Sequence, residues 1–144
     1  MVAPRTLARS AVLQVLYAGE LMESPLDTAH MHALQEYGML VRGLHRELFS
    51  ELLLGCLAQR ETLKESLTPF LDRPLAQLDP VERAILLIAA YELSASPLVP
   101  VRVVINEAIN LAKAFGAQDS HQYINGVLDA MAKVSRPAEM TGRA

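Results

Sequence analysis

Residues 78–93 read LDPVERAILLIAAYEL, and this stretch decides the fold. Asp79 can accept hydrogen bonds from the free amides of a first helical turn. Pro80 suits the first helical position, where no N–H is needed, and Glu82 stands where a capping box closes. Residues 84–91 are apolar without a break, too uniform for a surface helix and far short of the roughly 20 residues that cross a bilayer. The segment predicts a helix apolar nearly all round, the buried centre of a helical domain.

The flanking segments are helical too. Residues 94–100 hold two prolines and read as a loop. Val101-Arg102-Val103-Val104-Ile105 alone would pass for a strand, but Val104, Ala108, Leu111 and Phe115 keep helical period, and Gly116 ends that helix. Asp119 is expected to cap a last helix, with Gln122 at the box position and Ile124, Val127, Leu128 and Met131 facing inward. The tail after about residue 134 is expected to fray. Upstream, Leu44, Leu48, Leu52, Leu53, Cys56, Leu57, Leu63 and Leu67 recur three and four apart, which predicts one helix or two broken near Arg60. Pro69 and Pro74 bracket a short turn or helix with Phe70 and Leu71. The first helix is expected over 5–22, with Ala8, Ala11, Val12, Val15, Leu16 and Met22 inward and Arg9, Leu13 and Tyr17 pointing away. A weaker helix is expected at about 26–38. The chain reads as a single all-α domain, 1–144, of about seven helices.

Composition agrees. The chain has 144 residues, 51% apolar and 20% charged, with no tryptophan, a mix that favours helices over strands. Cys56 is the only cysteine, so no intrachain disulfide can form and a reducing, cytoplasmic setting is expected. No continuous apolar stretch follows the first arginines, which excludes a signal peptide. Net charge is −3, against a general nucleic-acid coat protein. The charge is uneven, however. Arg5 and Arg9 precede Glu20 with no acid among them, whereas residues 20–65 hold eight acids against four basic residues. A small basic arm, 1–9, therefore sits on an acidic body.

No catalytic constellation emerges. His30, His32, His45 and His121 include no pair at the i, i+4 spacing of a helical zinc site, and one cysteine cannot build a zinc knuckle. The glycines are scattered singly, without a phosphate loop. Ser10, Ser24, Ser50 and Ser66 lack the context of a nucleophile elbow. Cys56 lies on an apolar stripe and reads as inert packing. The expectation is a binding protein, not an enzyme, with no metal and no cofactor. Tyr17 with Arg9 could stack on an unpaired base while the guanidinium meets phosphate, or be an exposed tyrosine beside an ordinary arginine. Asp119, Ser120 and Tyr123 present the same two readings.

Three stretches carry a resemblance: AVLQVLY at 11–17, LDPVERAILLIAAYEL at 78–93, and PVRVVINEAINLAKAFGAQDSHQYINGVLD at 100–129. With them, residues 5–136 resemble the NusB transcription antitermination factor family. The resemblance implies two small helical bundles packed together. It implies pairing with the small-subunit ribosomal protein NusE and binding of boxA RNA in nascent, chiefly ribosomal, transcripts, within the RNA polymerase antitermination complex. The family's RNA-contacting positions fall on Arg5, Arg9, Tyr17, Phe70, Asp119 and Tyr123, and Glu82 matches a position placed against the ribosomal protein. Where many relatives have three or more consecutive basic residues, this chain has Arg-Thr-Leu-Ala-Arg, which implies weak RNA binding alone. Phe70 replaces a common tyrosine, keeping the ring and losing the hydroxyl. Asn106, Glu107, Asn125 and Gly126 are expected to fix helix packing. Two other roles stay open: an RNA-binding domain working with a separate ribosomal-RNA-modifying enzyme, and a protein-only, homodimeric scaffold.

Overall fold

The computed structural model describes residues 2–20, 35–36, 38 and 40–141. Its helices are α1 (Pro4–Glu20), α2 (Arg46–Ala58), α3 (Arg60–Leu67), α4 (Pro80–Ala95), α5 (Val101–Phe115), α6 (Ser120–Ser135) and α7 (Pro137–Thr141). Two 3-10 turns, Thr68–Phe70 and Leu75–Gln77, link α3 to α4. No strand occurs among the described residues. The helix expected at about 26–38, and Met22, lie mostly outside the described residues; Gln35, Glu36 and Gly38 are helical.

The fold is all-α and centred on α4, as expected. Every residue of α4 from Ala84 to Leu93 is buried. α4 touches α1, α2 and α3 in one group of helices and α5 and α6 in another. Asp79 Oδ1 accepts from Val81 N at 2.8 Å and caps the helix. Glu82 forms no reciprocal hydrogen bond among the described residues, so the capping box is only half closed. The α2–α3 break falls at Gln59, and α2 opens on an unforeseen cap: His45 Nδ1 accepts from Leu48 N at 3.1 Å. Gly55 brings α2 close to α4, since a Cβ there would run into the Tyr91 ring.

Four expectations are corrected. Arg9 and Leu13 are buried, not outward, because α1 is clasped by α2 on one flank and by α4 and α5 on others; one inward stripe understates a helix packed on several sides. Asp119 precedes α6 in the left-handed region (φ 70°) and its side chain makes no capping bond, so it turns the chain through its backbone. The tail does not fray at 134. Arg136 donates to the carbonyls of Leu93, Val99, Glu92 and Ser96 at 2.7–2.9 Å, tying together the last turn of α4 and the loop behind it, and α7 follows it. Finally, Asn106, Asn125 and Gly126 are exposed, and nothing lies within 4 Å of a Cβ built on Gly126. Of that group only Glu107 serves packing.

Candidate nucleic-acid interface

Arg9 is 2% exposed. Its Nε and Nη2 donate to Glu92 Oε1 and Oε2 at 2.7 and 2.8 Å, a fork on a buried carboxylate. Glu107 Oε1 stands 3.7 Å from Arg9 Nη1 and accepts from Thr6 Oγ1 at 2.8 Å. Burial works against the guanidinium charge, but the Glu92 hydrogen bond and the attraction of Glu92 and Glu107 outweigh it and hold the pKa above its ordinary value. A group so enclosed cannot meet a phosphate at the surface. The assignment of Arg9 to RNA contact is therefore corrected: it ties α1 to α4 and α5. Arg5, one turn earlier, is exposed.

Phe70 and Tyr123 come together, because the first 3-10 turn packs on α6. The Tyr123 hydroxyl donates to Asp72 Oδ1 at 2.9 Å, and the Asp72 amide points back at it from 3.4 Å. Arg73 lies over the Tyr123 ring, 5.5 Å from its centroid, and pairs with Asp72 at 3.6 Å. Partial burial, then the carboxylate of Asp72 as acceptor, raises the phenol pKa against the opposing Asp72 amide and Arg73, so Tyr123 stays neutral. Asp119 is exposed one turn before Tyr123. Asp72 and Arg73 are functional candidates that sequence reading missed; their only signal was their place between Pro69 and Pro74.

Tyr17 occupies the far end of α1, twelve residues or about 18 Å from Arg5. It is 38% exposed and shares an open groove of about 480 Å³ with Leu13, Gln14, Val81 and Phe115. Phe115 is 44% exposed, at the end of the stripe whose helical period it keeps. Glu82 adjoins Val81 in the first turn of α4, where its charge favours the helix N-terminus. Because Phe115 is only four residues from Asp119, the groove and the Phe70–Tyr123 cluster sit at the two ends of one short connection. The structure thus places Tyr17 and Phe115 in one groove and Tyr123 with Asp72 and Arg73 in a second cluster beside the turn that holds Phe70.

Among the described residues no three His, Cys, Asp or Glu side chains gather to hold a metal, and no helix is long and apolar enough to cross a membrane. Cys56 is buried, and burial together with Glu92 pushes its thiol up to about 12, which keeps it protonated.

Comparison with known proteins agrees with the resemblance. Residues 6–133 match the NusB family. A transcription antitermination protein NusB of Nitrosococcus oceani is 46% identical over 140 residues, covering 97% of this chain and 93% of its own length. Its namesake from Ralstonia nicotianae is 45% identical over 96% of this chain and 88% of its own. The solved structure of T. maritima NusB superposes with a TM-score of 0.81 at 28% identity, covering 99% of both chains.

Proposed function

The chain belongs to the NusB family, and on that premise we propose that it pairs with the ribosomal protein NusE and binds boxA RNA as part of the cytoplasmic RNA polymerase antitermination complex. The observation that carries the RNA half is the cluster of half-buried Phe70 and Tyr123 with exposed Arg73 over the Tyr123 ring and exposed Asp119 beside it. Unpaired bases stack on aromatic rings and on guanidinium planes. The Asp72 bond and the neutral phenol fix Tyr123 as a platform under Arg73, and Phe70 offers a second ring. With Arg9 withdrawn into the core, the arm keeps Arg5 alone, which gives little counterion release and hence weak binding by the free protein. Glu82 and the Tyr17–Phe115 groove suit the protein partner. A half-buried carboxylate beside an apolar trough can dock a complementary cation and an apolar side chain.

The experiment is fluorescence anisotropy with boxA RNA in the presence of NusE. Phe70→Ala and Tyr17→Ala should each cost about 1–3 kcal/mol if the ring stacks on a base, with little change in salt dependence. A loss confined to NusE affinity in Tyr17→Ala would assign that groove to the protein. Wild-type RNA binding by both variants would remove the RNA role from these rings.

A further inference from the structure

Beyond the aromatic cluster, a cleft of about 410 Å³ opens between α3, the second 3-10 turn and α4. Arg60 and Lys64, one turn apart on α3, line it with Arg83 of α4; Glu61 is the carboxylate among its lining residues. Three cations thus face one acid on a chain whose net charge is −3. Arg83 is fixed in the wall, with Nη1 donating to the carbonyls of Ala76 and Leu78 at 2.9 Å each. Lys64 is exposed, and its side chain makes no hydrogen bond or ion pair among the described residues. Its ammonium is available to an incoming anion.

The position of the cleft says which anion. Ala76, on its wall, is three residues from Arg73, which lies over Tyr123. At no more than about 3.6 Å per residue the two are within roughly 11 Å. A single strand stacked on Phe70 and Tyr123 covers that distance in a few nucleotides. We propose that the cleft holds backbone phosphate of the RNA as the strand leaves the aromatic cluster, with Lys64 as the contact that forms on binding and Arg83 as the pre-set wall. This rests on the RNA reading above and adds a basic contact that the arm does not supply. The contact is sequence-blind, since it meets only the phosphate.

The test uses the full chain with NusE and boxA RNA across a salt series, comparing Lys64→Ala, Lys64→Glu and Phe70→Ala. Lys64→Ala should flatten the slope of log affinity against log salt by about 0.7, one single-strand phosphate. Lys64→Glu should weaken binding further; Lys64→Ala should melt close to wild type because Lys64 is exposed, and Lys64→Glu should melt only slightly lower, since it reverses a favourable charge in the last turn of α3. Trimming the RNA end that runs toward the cleft should abolish the effect of both substitutions. If Phe70→Ala weakens binding while both Lys64 variants keep the wild-type slope, the cleft is overturned and the RNA function stands. If the wild-type complex binds no RNA, both fall. Stabilisation of the wild type, but not of Lys64→Glu, by inorganic phosphate without any change in RNA slope would make this a free-anion site. Weaker NusE binding by Lys64→Glu at unchanged RNA affinity would make it a protein contact. Either result overturns the assignment.

Discussion

Arg9 carries the clearest consequence at the scale of the residue. Removing one member of a buried ion pair leaves the other charged and unpartnered, which costs about 3–5 kcal/mol, whereas an exposed arginine changes stability by less than about 0.5 kcal/mol. Arg9→Ala should therefore lower the urea midpoint steeply, because the Glu92 carboxylate loses its fork. A midpoint within error of wild type would return Arg9 to the surface. Its burial was not legible in the sequence because its partner is 83 residues away. On a wheel of α1 alone, an arginine between two apolar residues of a flank is indistinguishable from a solvated one. Tyr17 and Tyr123 were legible as candidates for the opposite reason: each lies off the most apolar stripe of its own helix, and that is a local property.

Elements differ in how far their own sequence determines them. α4 was legible almost residue by residue, since Asp79 and Pro80 start it through local bonds and its apolar run allows no exposed face. The tail was not legible, because Arg136 satisfies carbonyls 37–44 residues upstream. α5 has no side-chain cap from its own N-cap residue, and Glu139 Oε2 of α7 takes the Val101 amide at 2.9 Å instead. That bond, and next the Arg136 contact, hold the Glu139 carboxyl below the usual glutamate range. A lowered folded pKa stabilises above the unfolded value of about 4.3 and loses that contribution as pH falls through the folded value. Acidification below about 4.3 should thus release α7 in the wild type, while Glu139→Gln should lack this acid-side step, as amide exchange at Val101 would report. An unaltered step in the variant would place it in other carboxylates. On α6, Gly126 sits exposed inside the helix with nothing near its missing side chain. Gly126→Ala should raise stability by about 0.5–1 kcal/mol by helix propensity alone, and a lower melting temperature would reveal a packing role that its surroundings do not show.

On the scale of the whole molecule, the two helical groups meet on α4, and the two candidate sites lie on either side of the α5–α6 connection, one ending on Phe115 and the other on Tyr123. Family membership follows from matches spread over nearly the full length, and it was legible because the motifs at 78–93 and 100–129 coincide with α4, α5 and α6. Which of those motif residues face outward was not legible: Asn106, Asn125 and Gly126 are exposed, whereas Glu107 turns toward α1. Charge at the face proposed for the partner gives a direct expectation. Glu82→Lys reverses the sign at the head of α4 and should weaken NusE binding by a few kcal/mol if the contact is desolvated. Its loss of helix-end stabilisation should stay near 0.3–1 kcal/mol. Calorimetric titration beside thermal melts separates the two, and unchanged NusE affinity with a lower melting temperature would leave Glu82 a helix-end residue only.

Cooperation between RNA and protein partner is the central claim, and one titration addresses it: boxA RNA against this chain, alone and with saturating NusE, at fixed salt. A surface with stacking rings but only Arg5 left in its basic arm should bind the RNA weakly alone and markedly more tightly in the pair. Equal affinity with and without NusE would contradict it.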